Sequence, residues 1–364
     1  MKDVISLFRN VVIQIATPYS TGGTGFYLKE YDIIVTNEHV VRGNRNVVIN
    51  GETIDKQLVK VLYTDEKYDL AFLEAPHQVD LPEVDLGLLE EITEGLSVIA
   101  IGHPFGLKYT STQGIISSTK YEQHDIIYLQ HDAALNPGNS GGPLITKSGA
   151  IIGVNTFIIK NGDNIGFSLP VSYLKKTIEE FAASEGLVGS RCPSCSNLVF
   201  ENTIDSSYCP HCGTKVELPS DVEIYEPIGV AYTIEEMLKE LGHDIELARS
   251  GLNVWEIQKG SARINISYYE RNGLITGDAY LCTLSKNNIK PLYEYLLRQN
   301  YDIEGLTFSI KGQDIILSLL IYDRYLNVET GLDLFNRLFD RADYYDNILV
   351  EEYGASWKYE QTDD

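Results

Sequence analysis

The glycine-rich run 136–143, NPGNSGGP, constrains the fold of this chain more than any other stretch. It places Ser140 in a tight turn just ahead of the apolar residues 144–145. Glycine accepts positive φ and lets the backbone approach a substrate closely, so the Gly138 and Ser140 amides can converge on one point. That point is a candidate oxyanion hole, and Ser140 is a candidate nucleophile. A turn that only connects two strands is the alternative, because one such motif is not specific.

A base and an acid for this serine are both available in the sequence. His39 lies where a predicted strand, YDIIV, gives way to a polar turn, which distinguishes it from the six other histidines as the candidate general base. Asp69 opens the apolar strand DLAFL, where a buried carboxylate would orient and stabilise an imidazolium. Asp65 and Asp85 are weaker candidates, because their neighbours are polar or turn-like. With Ser140, these residues predict a catalytic triad.

Five segments extend this pattern and carry a family resemblance. TGFYLKEYDIIVTNEHVV, YDLAFLE, IGHPFGL, STQGIISS and LQHDAALNPGNSGGPL resemble, in this order, the HtrA/Deg branch of the trypsin-like serine proteases over about residues 1–185. The resemblance implies an all-β, chymotrypsin-like fold of two six-stranded barrels with the active site between them. It makes His39 the base, Asp69 the orienting acid and Ser140 the nucleophile. It assigns the oxyanion hole to the amides of Gly138, Asn139 and Ser140.

The resemblance also suggests a substrate pocket and a mode of activation. Ala134 is expected near the pocket floor, where no carboxylate would attract Lys or Arg, so a small or medium aliphatic residue is expected before the cleaved bond. The segment with Ile165, Gly166 and Phe167 resembles the strand that forms one wall of the substrate pocket in this family. An amide at Asn139 cannot pair with a new N-terminal amine, so activation by chain cleavage is not expected. Loops 104–107 and 160–163 are candidates for regulatory movement instead.

Composition and charge exclude several function classes. The 364 residues are 43% hydrophobic, which is ample for packed cores. Their net charge of −23 leaves no basic surface of the kind that binds nucleic acid. No apolar stretch reaches 18 residues, so a membrane span is not expected. The N-terminal residues 1–16 lack a signal-peptide pattern, and the protease region has no cysteine. A cytoplasmic location is therefore expected.

Four of the five cysteines form two C-x₂-C pairs. We expect Cys192, Cys195, Cys209 and Cys212 to bind a structural Zn²⁺ ion in a zinc ribbon over residues 189–217, since four thiolates complete its coordination. A redox-active disulfide pair is the alternative. His211 could replace a thiolate, although its place inside a C-x₂-C pair is awkward. Cys282 lies in an apolar run and is expected in a core.

The remaining chain predicts further domains. The protease domain is expected over residues 1–188, a linker over 218–227 and an α+β domain over 228–364, with the element order α-β-β-β-α-β-β-α. Its first helix is expected to begin with a capping box at Thr233. This order resembles the YbjN or type III secretion chaperone-like fold, which implies binding of a client or regulatory protein and possible homo-oligomers. An inert appendage is the alternative.

These features favour a cytosolic serine endopeptidase whose substrates are proteins or peptides. In this hypothesis the zinc ribbon and the C-terminal domain recruit substrates or regulate access to the active site. The competing hypothesis is a sensing or scaffold protein whose protease-like domain binds peptides with little turnover.

Overall fold

The strands that the structure describes form two barrels and one further sheet, which lies in the C-terminal part of the chain. The computed structural model describes residues 2–77, 79–88, 92–103, 109–158, 165–183, 186–259, 262–285 and 289–358. The chain divides into two compact units, residues 1–225 and 226–364. None of the described helices combines the length and the apolar character needed to cross a bilayer.

The first barrel has six antiparallel strands. Its strands are β1 (Val12–Thr17), β2 (Ser20–Leu28), β3 (Ile33–Thr36), β4 (Asn46–Asn50), β5 (Gln57–Asp65) and β6 (Leu70–Glu74). They pair in the order β5-β4-β1-β2-β3-β6, and β5 also pairs with β6, which closes the barrel. Alternate residues of β5, from Val59 to Asp65, are buried, as a strand with one face on the core requires.

The second barrel is also closed and six-stranded. Its strands are β7 (Ser97–Gly102), β8 (Thr110–Gln123), β9 (Ile126–His131), β10 (Pro143–Thr146), β11 (Ile151–Ile158) and β12 (Gly166–Pro170), in the order β10-β11-β12-β9-β8-β7. Val98 and Ala100 belong to one apolar cluster, whereas the alternating Ile99 and Ile101 join the large cluster shared with the first barrel. The predicted double barrel is confirmed.

Among the described residues, three α-helices accompany the barrels: α1 (Lys2–Val11), α2 (Glu38–Val41) and α3 (Val171–Ala182). The helix α3 was expected, and its predicted apolar stripe is buried. The helix α1 was not expected. It packs because Phe8 and Val11 are fully buried against the first barrel, while its polar positions remain outside.

The cysteine-rich segment extends the first barrel. Strands β13 (Gly189–Arg191) and β14 (Leu198–Phe200) form a hairpin, and β13 runs parallel to β5, with Gly189 opposite Tyr63 and Ser190 opposite Thr64. The segment therefore belongs to the first unit. The first residues of the expected linker 218–227 pack against the rest of the protein, because Leu218 and Pro219 are buried.

The second unit combines one sheet with four helices. Its elements are α4 (Gly229–Glu240), α5 (Ile245–Ala248), β15 (Arg249–Gly251), β16 (Val254–Lys259), β17 (Ala262–Tyr269), β18 (Leu274–Thr283), α6 (Ile289–Asp302), β19 (Leu306–Lys311), β20 (Asp314–Tyr322), α7 (Val328–Glu351) and β21 (Ser356–Trp357). The sheet order is β15-β16-β17-β18-β20-β19, with β21 beside β18. Cys282 is fully buried in this core. The capping box was wrong: Thr233 lies inside α4, where its hydroxyl donates to the carbonyl of Gly229.

Candidate active site and cysteine cluster

The predicted base and acid meet beside the first barrel. The buried strand β3 leads into α2, which carries His39, and the turn between β5 and β6 carries Asp69. The His39 Nδ1 atom lies 2.9 Å from Oδ1 and 2.8 Å from Oδ2 of Asp69. The His39 backbone N–H also donates to Asp69 Oδ1 at 3.0 Å, and Asn37 Nδ2 donates to the Asp69 carbonyl at 2.7 Å. The carboxylate is therefore held against the imidazole by both side chain and backbone.

The charges around His39 favour its protonated form. Burial of the ring lowers the pKa of His39, but the hydrogen bond and negative charge of Asp69 outweigh this effect, and the net pKa is raised above 6.5. A base that must hold a proton during the reaction benefits from such a partner. The alternative acids do not compete: Asp65 is fully buried and bound to Arg191, and Asp85 is exposed.

A threonine of the first barrel holds the loop that carries Ser140. Thr24, on β2, is fully buried, and its hydroxyl donates to the carbonyl of Gly138 at 2.6 Å. Its backbone N–H donates to the carbonyl of Ser140 at 2.8 Å. The same hydroxyl accepts the His103 N–H at 2.9 Å, and the Thr24 carbonyl accepts the Thr36 hydroxyl at 2.7 Å. Thr24 thus fixes the position of the nucleophile loop from two sides.

The residue after the nucleophile must be glycine. Gly141 has φ +85, and a Cβ placed on it would lie 2.1 Å from the Thr24 carbonyl oxygen and 2.3 Å from the Thr36 hydroxyl. Its N–H donates to the Asn155 carbonyl at 2.8 Å. The loop therefore runs so close to β2 that no side chain fits between them.

The three predicted oxyanion amides are not equivalent. The Asn139 N–H donates to the Asn136 carbonyl at 3.0 Å and is already used in the turn. Within the described part of the chain, the N–H groups of Gly138 and Ser140 donate to no protein acceptor. Of the three predicted donors, these two are left for an oxyanion.

The Ser140 side chain points to a different acceptor from the expected one. Its hydroxyl donates to the Thr156 carbonyl at 3.2 Å, and no hydrogen bond between described residues joins it to His39. A Ser140–His39 hydrogen bond would therefore require the hydroxyl to turn away from Thr156.

Two residues of the predicted pocket wall, Gly166 and Phe167, follow one another in β12 and therefore face opposite sides of that strand. Phe167 is fully buried and stacks on Phe157 with 4.8 Å between ring centroids, so its side chain belongs to the core. Gly166 faces the opposite way: a Cβ there would lie 2.7 Å from His131 and 2.9 Å from Leu135. Successive residues of a strand point to opposite faces, which the family resemblance alone did not resolve.

The other pocket residues lie near the strand ends. Ala134 is partly exposed, and its carbonyl accepts the Thr112 hydroxyl at 2.8 Å. Ile165 is partly buried and packs against the large core cluster. The candidate regulatory loops 104–107 and 160–163 lie outside the described residues.

Sequence reasoning missed the polar residues that support the site. Thr24, Thr36 and Asn37 each make a contact that positions the triad or its loop. Thr24 and Thr36 lie within β2 and β3, and Asn37 directly follows β3. A polar residue in or next to a predicted strand was an available signal, because such a group needs a partner when the strand is buried. Burial lowers the pKa of His103 and of His131 to about 4, and neither was predicted to be the base.

The four predicted zinc ligands converge on one point. Their Sγ atoms all lie within 4.8 Å of one another, with 3.5 Å between Cys192 and Cys212 and 3.7 Å between Cys195 and Cys209. Thiolates about 2.3 Å from a tetrahedral zinc ion would lie about 3.8 Å apart. No disulfide joins these cysteines. The donor set therefore fits zinc, and the predicted ligand cluster does not include His211.

The two C-x₂-C pairs adopt the same turn. In the first, the Cys192 carbonyl accepts the Ser196 N–H at 3.0 Å; in the second, the Cys209 carbonyl accepts the Gly213 N–H at 2.9 Å. Ser196 and Gly213 both have positive φ, 60° and 73°. Hydrogen bonds with the side chain and backbone of Thr214 lower the pKa of the Cys212 thiol to about 6. Each turn directs two sulfur atoms towards the shared centre, as paired metal-binding knuckles do.

Known proteins match the first unit. Residues 23–154 match the family model described as a trypsin-like peptidase domain. Serine protease HTRA1 of Xenopus laevis is 36% identical over 186 residues, 48% of this chain and 39% of that protein. The probable periplasmic serine endoprotease DegP-like of Chlamydia trachomatis is 38% identical over 173 residues, 46% of this chain and 34% of that protein.

A solved structure matches over a similar extent. The serine endoprotease from Yersinia pestis aligns with a TM-score of 0.45 and 28% identity, covering 51% of this chain and 68% of that one. The chain spans about two fifths or less of the length of the two curated relatives named above. The matched range, residues 23–154, spans the positions of His39, Asp69 and Ser140. The first part of this chain is therefore a trypsin-like peptidase domain of the HtrA/Deg type.

Proposed function

We propose that this protein is a serine endopeptidase that hydrolyses protein or peptide substrates with Ser140, His39 and Asp69. The observation that carries the proposal is the pairing of His39 with the Asp69 carboxylate beside a nucleophile loop held by Thr24. Family membership of the domain supports the same reaction class.

The reaction follows from the chemistry of these groups. His39 Nε2 takes the proton of the Ser140 hydroxyl as Oγ attacks the peptide carbonyl, and Asp69 stabilises the imidazolium that forms. The Gly138 and Ser140 N–H groups donate to the developing oxyanion. His39 then returns the proton to the leaving amine, which breaks the peptide bond and leaves an acyl-enzyme. Water, deprotonated by His39, releases the acid product and restores Ser140.

A fluorophosphonate probe and casein test this proposal together. Wild type should bind the probe covalently and cleave casein, whereas Ser140→Ala should do neither. Ser148→Ala, at an exposed serine of the same barrel, is the matched control and should behave as wild type. Equal and negligible reaction of wild type and Ser140→Ala would overturn the proposal.

The orientation of Ser140 supports one competing function. Because its hydroxyl donates to the Thr156 carbonyl, a peptide-binding sensor or scaffold with little turnover is the second candidate. The two functions differ in one measurable respect. A sensor would bind peptides with the same affinity in wild type and Ser140→Ala and would not release cleavage products.

We also propose that the pocket prefers a small or medium aliphatic residue before the cleaved bond. Gly166, His131 and Leu135 approach one another closely, and Ala134 adds no charge. Peptides that differ only at this position, with Ala, Val, Leu, Lys or Glu, provide the test. Preferred cleavage after Lys or Glu would exclude an uncharged pocket.

The cysteine cluster is proposed as a structural zinc site. Four thiolates leave no coordination position for water, so the ion would hold the two knuckles together and take no part in hydrolysis. Unpaired thiols at this spacing fit a reducing compartment, which supports a cytoplasmic location, although one relative is named as periplasmic. Cell fractionation tests the cytoplasmic location, and alkylation before lysis tests whether the thiols are unpaired.

The C-terminal unit is proposed as a domain that binds a client or regulatory protein. Its support is a stripe on α6, where Tyr293, Leu297 and Tyr301 are 41%, 70% and 91% exposed at four-residue spacing. Light scattering of wild type and Leu297→Glu distinguishes a homo-oligomer from a monomer. A monomer whose casein cleavage is unchanged by the substitution would remove the support for this surface.

A further inference from the structure

Arg191, at the end of β13, is a charged side chain enclosed between the cysteine segment and the peptidase barrel. Only 4% of the side chain is exposed. Its Nε donates to Asp65 Oδ2 at 2.6 Å, its Nη2 to Glu180 at 2.5 Å and its Nη1 to the Ser196 carbonyl at 2.8 Å. One guanidinium therefore connects β5, α3 and the first cysteine knuckle.

Asp65 transmits this contact to the turn that carries the catalytic acid. It is fully buried, and its Oδ1 accepts the Tyr68 N–H at 3.0 Å, which closes the turn 65–68. The guanidinium also lies 5.1 Å from the centre of the Tyr68 ring. Because a buried carboxylate without a partner is costly, the hydrogen bond from Arg191 Nε holds the Asp65 side chain in place. The next residue after this turn is Asp69.

Asp69 needs such support because its backbone is strained. Its φ is +51, in the left-handed region that residues with a Cβ rarely adopt. Conformations of this kind persist where neighbouring groups hold them. Asn37 holds the Asp69 carbonyl on one side, and the Asp65–Tyr68 turn holds the preceding residue on the other.

We infer that Arg191 is a positioning residue for the proposed triad, acting through Asp65 and Tyr68 to hold Asp69 against His39. The inference rests on the proposed function for its catalytic consequence. It makes the cysteine segment part of the active-site support, because the residue after Arg191 is the zinc-ligand candidate Cys192. Weakening the Arg191 contacts should loosen Asp69 and leave the order of the barrels intact.

The test follows the titration of His39 by NMR in the full chain, with the signal assigned by its absence in His39→Ala. The charged groups that face His39 are Asp69, Glu38 and Arg42. Arg191→Lys keeps the charge but cannot serve Asp65, Glu180 and Ser196 together. We expect its His39 midpoint to move to lower pH and fluorophosphonate labelling of Ser140 to slow about tenfold. Glu180→Gln, which weakens Arg191 from its partly exposed side, should move both in the same direction by less.

Arg249→Lys is the matched control, since Arg249 pairs with the buried Glu235 in the second unit. It should lower thermal stability and leave the His39 midpoint and the labelling rate unchanged. Wild-type midpoints and rates in a folded Arg191→Lys would overturn the inference; if that variant does not fold, an unchanged Glu180→Gln would do so. Failure of wild type to react with the probe would count against the proposed peptidase instead, and the NMR midpoint would still decide the positioning role.

Discussion

The backbone N–H of Thr24 donates to the carbonyl oxygen of Ser140 at 2.8 Å, which ties a strand of the first barrel to the nucleophile of the second. The Thr24 hydroxyl adds a hydrogen bond to Gly138, the residue that supplies one of the free oxyanion amides. The proposed nucleophile and its proposed oxyanion donors are thus positioned from across the domain.

Replacing Thr24 by valine should therefore impair catalysis at nearly constant shape. Thr24→Val removes the donor to Gly138 and leaves the buried His103 N–H without its acceptor, which should lower the free energy of unfolding by about 1–3 kcal/mol. A displaced loop should slow the reaction by about 10²-fold. The labelling rate of Ser140 and a thermal melt measure the two effects. Thr24→Ser keeps the hydroxyl and should restore most of the rate; a folded valine variant with wild-type labelling would contradict the assignment.

The reaction rate should rise with pH as His39 loses its proton. Because Asp69 raises the pKa of His39 above 6.5, the midpoint of kcat/KM on the acid side should also lie above 6.5. In Asp69→Asn the opposing charge is gone and burial of the ring dominates, so the midpoint should move to lower pH while the rate falls by about 10⁴. A pH–rate profile of both proteins provides the measurement. An identical midpoint in wild type and Asp69→Asn would mean that Asp69 does not raise the pKa of His39.

A side chain at Gly141 should be destabilising for two separable reasons. Gly141→Ala combines an unfavourable φ with a clash against the Thr24 carbonyl, whereas Gly95→Ala has a similar φ, +83, in open space. The control should lose about 1–2 kcal/mol of unfolding free energy, from the backbone alone. Gly141→Ala should lose more and should abolish probe labelling. Chemical denaturation measures both values, and equal losses would mean that the contact with β2 is not close.

The zinc content should depend on the four clustered cysteines and should not depend on Cys282. Purified wild type should hold about one zinc ion per chain, and Cys209→Ser should lose most of it. Cys282→Ala removes a buried thiol of the second unit and should retain the metal. Elemental analysis with thermal melts provides the measurement. Full zinc content in Cys209→Ser would exclude the Cys₄ site.

Local patterns predicted the centre of the site but not its support. Ser140, His39 and Asp69 each stand in a short segment whose residue types already indicate their chemistry, and the structure brings His39 and Asp69 together. Thr24 is different, because its partner Gly138 is 114 positions away and no local pattern records the pairing. The pairing of Arg191 with Asp65, 126 positions apart, was missed for the same reason.

The errors in the fold have equally specific causes. Thr233 and the following glutamates have capping-box spacing, but packing of the earlier residue Ala231 against the core extends α4 beyond that signal. Phe167 is a different case: the resemblance identifies a strand of the pocket wall without fixing which face each side chain takes, and the Phe167 side chain is buried.

The parallel pairing of β13 with β5 decides where this protein can be shortened. A chain cut at residue 188 would lose the neighbour of Tyr63 and Thr64 and would leave the Asp65 carboxylate without the Arg191 cation that pairs with it. Such a fragment would be a damaged peptidase, and its behaviour would say little about the intact one. A cut at 225 retains the barrels, the knuckles and Arg191 together, and is the natural minimal unit for crystallisation and inhibitor work.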